Sequence, residues 1–350
     1  MGYQNILIIK PSSLGDVVHA LPVLEALRKA FPESRITWMI RREFAPLLTC
    51  VRGVDETLLF ERRLLGRWYT SAGFCAMREL IGRLRGERFD LVLDLQGLLR
   101  TALLGWLSGC PMRVGAASAR EGAPLFYTHR VRRPEGSLHM VDLYRAMLKA
   151  VGVEEFEPYI RFEPPSGVVQ SVGALRKDAG LEAGRFAVLI AGAAHESKRW
   201  PVERFAAVAE FVAKKYGLAI AAVGSPGEKK IVAALQHAAT VPIADLCGKT
   251  TIPQLVALLA QAGLVVSNDT GPGQIAVALR RPTVLIFGPT NPAWVGPYKQ
   301  PDAVVAVEPE QRGTAIRSRK PAHRIEQVSV QAVLNAIDRQ MAAQIADEPK

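Results

Sequence analysis

Several short strings carry residues that could do chemistry. The first is Ser12-Ser13-Leu14-Gly15-Asp16. A carboxylate at a helix start can take a proton from a hydroxyl nucleophile, or it can simply cap the helix; both readings stand for Asp16. The turn holds no G-x-G-x-x-G, which argues against a dinucleotide site there. The second string, Gly192 to Pro201, contains Lys198. Lys198 is either a counter-charge for a diphosphate leaving group or a solvated loop lysine. In Gly224-Ser225-Pro226-Gly227-Glu228, the Glu228 carboxylate could accept hydrogen bonds from ribose hydroxyls, or could sit in a first helical turn for its dipole. In Asn268-Asp269-Thr270-Gly271-Pro272, the amides of Thr270 and Gly271 could cradle a phosphate at a helix N-terminus. Asp269 would repel that phosphate, so it caps the helix or binds a sugar hydroxyl. Leu246-Cys247-Gly248-Lys249-Thr250 lacks P-loop spacing.

Charge is the other chemical signal. The 350 residues carry 44 Lys and Arg against 33 Asp and Glu, a net charge of +11. Residues 1–150 hold 22 basic and 14 acidic side chains, so +8 of the excess lies there, mostly as Arg. Arginine suits bidentate contact with phosphate or carboxylate. Arg62, Arg63 and Arg67 cluster, as do Arg130, Arg132 and Arg133; each group is a solvated face or an anion clamp. Stacking aromatics between them are few, which argues against nucleic acid. The six histidines show no metal-ligand spacing, and no D-x-D-type metal motif is present.

Those strings need a scaffold. Hydrophobic residues make up 49% and charged residues 22% of the chain, enough for real cores and too apolar for a disordered protein. Cys50, Cys75, Cys110 and Cys247 are too scattered for a disulfide framework or a zinc module and read as reduced cytosolic thiols. No apolar run reaches the ~20 residues of a membrane span. The N-terminus lacks the basic start of a signal peptide. Continuous apolar runs at 5–10, 35–40 and 89–95 predict buried strands separated by helices. A Pro/Gly-rich stretch at 161–167 reads as a linker, after which the alternation restarts with strands at 186–191, 218–224, 263–268 and 282–287. The expectation is α/β architecture: two Rossmann-like domains, 1–163 and 164–350, with strand-end motifs aimed into a cleft between them. A long helix at about 328–343 closes the chain, and its packing back onto the first domain is left open.

At this point whole strings resemble a known family. KPSSLGDVVHALPVL, DLQGLLRTALL and SNDTGPGQIAVALRRPTVLIFGPTNP are similar to glycosyltransferase family 9, the lipopolysaccharide heptosyltransferases. SSLGD, DLQGLLRTA and AREGAPLFYTHRV look most like type I. The resemblance implies a GT-B fold and an inverting transfer of heptose from ADP-heptose to the Kdo of lipid A–Kdo, with no cofactor and no metal. By position, it implies Asp16 as general base and Lys198 facing the diphosphate. Glu228 would face the ribose, and Asp269, Thr270, Gly271 and Gln274 the rest of the donor. Ser13, Arg62, Arg63 and Arg120 would meet the anionic acceptor. It also implies peripheral contact with the cytoplasmic face of the inner membrane of a Gram-negative-type bacterium. The family's usual Met-His after Asp-Thr-Gly-Pro is Gly273-Gln274 here, which replaces a chargeable contact with a neutral one. The segment 308–324 matches nothing in the family pattern. Other readings kept open are a different sugar donor or acceptor, and a non-catalytic nucleotide-binding module on the same fold.

Overall fold

The computed structural model describes residues 2–347, with side chains to 344. The chain forms two compact units that divide between Ile160 and Arg161, three residues before the expected boundary.

Unit 1 runs β1 (Asn5–Ile9), α1 (Leu14–Ala30), β2 (Arg35–Ile40), β3 (Glu56–Leu59), α2 (Arg62–Leu65), α3 (Ser71–Gly86), β4 (Leu91–Asp94), α4 (Leu99–Leu107), β5 (Met112–Ala116), β6 (His129–Val131) and α5 (Met140–Lys149). Its sheet has the order β3-β2-β1-β4-β5-β6, and each neighbouring pair is parallel. The central strands are buried throughout, as their unbroken Ile, Leu and Val runs require of a sheet covered on both faces. The strand order reverses direction between β1 and β4, the place where open α/β sheets form a ligand crevice.

Unit 2 runs α6 (Ser166–Asp178), β7 (Phe186–Ile190), α7 (Val202–Tyr216), β8 (Ala219–Ala222), α8 (Lys229–Ala238), β9 (Ile243–Asp245), α9 (Ile252–Leu259), β10 (Leu264–Asn268), α10 (Gly271–Ala278), β11 (Thr283–Phe287), α11 (Pro292–Val295), β12 (Val304–Ala306) and α12 (Val330–Asp347). Its parallel sheet, β12-β11-β10-β7-β8-β9, reverses between β7 and β10.

Some expectations need correction. Gly167 is not in a linker but inside α6, which is held to α9 by a Gln254 Nε2 to Ser171 Oγ bond of 3.1 Å. The terminal helix packs on its own unit, with Val333, Ala336 and Ile337 in the core that β11 and α7 also build. The 308–324 segment is tied down mainly by polar groups. Buried Arg312 donates to the Thr290 carbonyl at 3.0 Å and to the Val307 carbonyl at 2.9 Å. Asn291 Nδ2 donates to the Gly313 and Ala315 carbonyls.

Asp94, at the end of β4, knits three parts of unit 1 together. Its buried carboxylate accepts hydrogen bonds from the Gln96 and Gly97 amides (2.9 and 3.1 Å), the Thr101 hydroxyl (2.9 Å) and the Tyr127 hydroxyl (2.7 Å). Burial pushes its pKa up despite these donors. The Tyr127 ring lies so close to Gly115 that any Cβ there would fall 2.2 Å from it. Replacing Asp94 by Ala strands these donors in a dry site, at a cost of about 1–3 kcal/mol or more. Urea unfolding of Asp94→Ala should show that loss with an unchanged slope.

Candidate active site

In unit 1 the candidate residues gather where parallel strands end. Ser13 is the N-cap of α1, immediately after β1, and Asp16 occupies the third helical position. Asp16 Oδ2 accepts from the Ser13 amide at 3.0 Å and the Ser13 hydroxyl at 2.9 Å. The cap reading of Asp16 is therefore correct, but it uses one oxygen. Oδ1 has no hydrogen-bond partner among the described residues and remains able to take a proton. Burial would raise the Asp16 pKa, but the Lys10 ammonium and the Ser13 hydrogen bonds outweigh it and hold the carboxyl below the ordinary aspartate range.

Lys10 is buried at the end of β1 and donates to the Leu95 carbonyl at 3.2 Å. Burial favours its neutral form, but the Tyr144 hydroxyl and the Asp16 carboxylate reverse that and raise its pKa. Lys10 is thus a buried positive charge that acts on the Asp16 carboxylate. Residue reading alone passed over it; the available signal was a lysine ending the apolar run NILIIK.

Arg62 and Arg63 lie on α2, directly after β3, and Arg120 follows β5. Each strand is two places from β1, one on either side, or roughly 10 Å. These arginines are exposed and have no ion pair or side-chain hydrogen bond among the described residues. The opposite edge of the sheet differs. There Arg28 pairs with Asp55, Arg35 with Glu87 (3.1 Å), and Arg83 with Glu56 (2.8 Å). At the Asp16 edge Arg62, Arg63 and Arg120 are left unpaired, although Arg41 and Arg42, which follow β2, pair with Glu43 and Glu61. Arg133 of the other cluster is spent on the Leu138 and His139 carbonyls.

In unit 2 the loops after adjacent strands β8, β7 and β10 carry Glu228, Lys198 and Asp269. Lys198 Nζ lies 2.5 Å from Asp269 Oδ2, with both side chains largely buried. The glutamate is also brought in: a Cβ on Gly192 would sit 2.0 Å from Glu228 Oε1, so only glycine admits it. Its other oxygen accepts from the Ser225 amide (2.7 Å) and hydroxyl (2.8 Å). Thr270 caps α10, accepting from the Gly273 amide at 3.3 Å, while the Thr270 and Gly271 amides have no partner among the described residues. These are free donors at a helix start, suited to phosphate. Asn268 positions the group. Its Nδ2 donates to the Ala191 carbonyl at 2.8 Å and its Oδ1 accepts from the Trp200 amide at 3.1 Å, locking the Lys198 loop to β10. In the sequence, the only mark of this role is an amide side chain directly after the apolar run that forms β10.

The sequence model of glycosyltransferase family 9 (heptosyltransferase) matches residues 77–325. The chain belongs to glycosyltransferase family 9. The lipopolysaccharide core heptosyltransferase OpsX of Haemophilus influenzae is 27% identical over 88% of this chain and 85% of its own length. Lipopolysaccharide heptosyltransferase 1 of Escherichia coli K12 is 27% identical over 84% of this chain and 91% of its own. Type 2 heptosyltransferases of Salmonella typhimurium and E. coli K12 are also 27% identical. Among solved structures, a family 9 glycosyl transferase from Veillonella parvula superimposes with TM-score 0.82 at 24% identity, covering 98% of each chain. E. coli heptosyltransferase WaaC with ADP-2-deoxy-2-fluoro heptose gives 0.71 at 24%, over 96% of this chain and 99% of that one. The α/β fold with two parallel sheets is thus that of the GT-B heptosyltransferases.

The family 9 chain departs from the usual pattern at Gly273-Gln274, and packing gives a reason for the first residue. A Cβ on Gly273 would lie 2.6 Å from Leu285 and 2.8 Å from Ser267 Oγ. Gln274 is buried; its Nε2 donates to the Val295 carbonyl at 2.9 Å, which sets the amide orientation, and its Oε1 has no partner. Among the described residues, no three His, Cys, Asp or Glu side chains converge as a metal site.

Two outcomes follow from this geometry. Gly273→Ala should destabilise unit 2 by about 1–3 kcal/mol, read by thermal or urea melting, because α10 must move off β10 and β11. Lys10→Met should raise the Asp16 pKa, since it removes the charge that keeps the carboxylate ionised. An Asp16 limb of the rate–pH profile is expected on the acid side of the ordinary aspartate range, and in Lys10→Met it should move upward. The linked stability has the same sign: it is present above the unfolded aspartate pKa and lost as pH falls through the lowered folded one.

Proposed function

We propose that this enzyme transfers heptose from ADP-heptose to the Kdo of lipid A–Kdo, in lipopolysaccharide core synthesis at the cytoplasmic face of the inner membrane. The observation that carries the reaction type is Asp16: one oxygen is fixed by the Ser13 cap, the other is unpartnered, and Lys10 keeps the group ionised. Such a carboxylate is a base that needs no rearrangement before accepting a proton. The donor assignment draws support from the heptose nucleotide named with WaaC. The acceptor assignment draws support from the type I strings and from Arg62, Arg63 and Arg120, which are left without carboxylate partners.

In this reading, Asp16 Oδ1 takes the proton of the acceptor hydroxyl as its oxygen attacks the anomeric carbon. The bond to ADP breaks on the opposite face of the sugar, so the configuration inverts. The charge growing on the diphosphate is met by Lys198 and by the Thr270 and Gly271 amides. Lys198 is shared with Asp269 before the donor binds. A bound diphosphate competes for the ammonium and frees Asp269 to accept from a sugar hydroxyl. Glu228 Oε1, facing Gly192, accepts from the ribose.

The test is mass spectrometry of lipid A–Kdo incubated with ADP-heptose and the protein. One added heptose is expected. No addition, or addition only to an acceptor that already carries heptose, would overturn the assignment. Asp16→Ala should lower transfer by about 10²–10⁴-fold while calorimetric ADP binding stays near native. A second reading, another nucleotide sugar, is favoured by Gln274 standing where the family usually has His. Titration with ADP-, UDP-, GDP- and CMP-sugars separates the two.

A further inference from the structure

One surface of unit 1, beside Arg62 and Arg63, carries large apolar groups that none of the chemistry above uses. From residue 62 to residue 78 the chain carries Arg62, Arg63, Arg67 and Arg78 and no acidic side chain. The same stretch exposes large apolar groups: Trp68 is 64% accessible, Tyr69 73%, Phe74 60% and Leu64 39%. The exposure does not come from a loose loop. The Arg67 amide donates to the Leu64 carbonyl, the Thr70 hydroxyl donates to the Arg67 carbonyl at 2.8 Å, and the Gly73 amide donates to the Thr70 hydroxyl at 3.1 Å. A Cβ on Gly73 would fall 2.1 Å from the Arg67 carbonyl oxygen, so the turn closes tightly on itself. On the inner side, Leu65 is buried with Leu80 and Leu84. Leu65 thus faces inward, above a cavity that Leu58, Ala76 and Leu80 also line, and the rings are left on the outside.

We infer that this face docks on an anionic lipid bilayer. Trp and Tyr rings favour the headgroup level of a membrane, where their apolar body is buried and their polar tip stays wet. Arg67 and Arg78, exposed and with no part in the acceptor assignment, meet lipid phosphates, and a bilayer with anionic headgroups supplies the missing negative charge. A second copy of the chain is a poor occupant, because like-charged arginine faces would meet. Single-stranded nucleic acid is also a poor fit: Trp68 and Tyr69 meet edge to face, 6.4 Å apart at 80°, and offer no parallel slot for a base. The segment follows β3, so docking holds the Asp16 edge of the sheet toward the lipid surface. This deepens the proposed function, resting on it for the acceptor's location but not for the test.

The test is sedimentation of the full chain with vesicles of phosphatidylcholine alone or mixed with phosphatidylglycerol. Binding to the mixed vesicles should exceed binding to the neutral ones by at least ~10-fold. It should weaken with added salt. The combined variant Trp68→Ser/Tyr69→Ser/Phe74→Ser should lose at least ~10-fold in vesicle binding with an unchanged melting temperature. That variant should keep native activity on a de-acylated, soluble acceptor and lose it on the same acceptor embedded in vesicles. Absence of vesicle binding, equal binding by the variant, equal binding to neutral vesicles, or concentration-dependent dimerisation abolished by the variant would each overturn the inference. Vesicle binding without heptose transfer would instead count against the proposed reaction and leave the docking surface standing.

Discussion

The parallel pairing of all strands within each sheet is the constraint on which the rest depends. A parallel strand must be followed by a crossover, and the turn into that crossover always leaves from the same edge. Residues distant in sequence are thereby gathered without any direct code for their meeting. Ser13 and Asp16 follow β1, Asp94 ends β4, and both flank the place where the strand order reverses. In unit 2, Lys198 and Asp269 follow β7 and β10, the pair that flanks its own reversal. Each candidate centre stands where its sheet opens a crevice.

Electrostatics then distinguish the two centres. In unit 1 the Asp16 carboxylate is held ionised by the charge of buried Lys10, which is itself hydrogen-bonded to the Leu95 carbonyl. In unit 2 Lys198 is held by the Asp269 carboxylate, which in the proposed reaction a diphosphate would displace. The first arrangement keeps a base charged. The second keeps a cation in place until a stronger anion arrives. Around them, Arg62, Arg63 and Arg120 are left without acids, while Arg28, Arg35 and Arg83 at the amino edge of unit 1, and Arg41 and Arg42 after β2, are paired. A net charge says nothing of this, because pairing depends on which ends of which strands meet.

The mismatches between sequence and structure have specific causes. β3, β5, β6 and β9 are only three to five residues long, lie away from the sheet centres and show no continuous apolar run; β12 lies in the short apolar run 303–307 but is only three residues long at a sheet edge. α6 was hidden by the proline and glycine around its start, yet Pro165 is its N-cap and Gly167 lies in its first turn. The 308–324 segment has no periodicity because polar contacts from Arg312 and Asn291, more than an apolar face, hold it.

The sequence by itself determined the α/β class, the two-unit division to within three residues, and the strand-end strings that hold Asp16, Lys198, Glu228 and Asp269. These are local properties: apolar runs, helix starts and turn residues within a few positions of one another. Only the tertiary structure decided that Asp16 is both a cap and a carboxylate kept ionised, because the burial of Lys10 fixes its charge near the carboxyl. Only the fold decided that Lys198 meets Asp269 across 71 residues and that Glu228 presses on Gly192. It also decided that no side chain fits at position 273. Each of these is a contact between separate elements, set by strand order and close packing, which no short stretch of sequence contains.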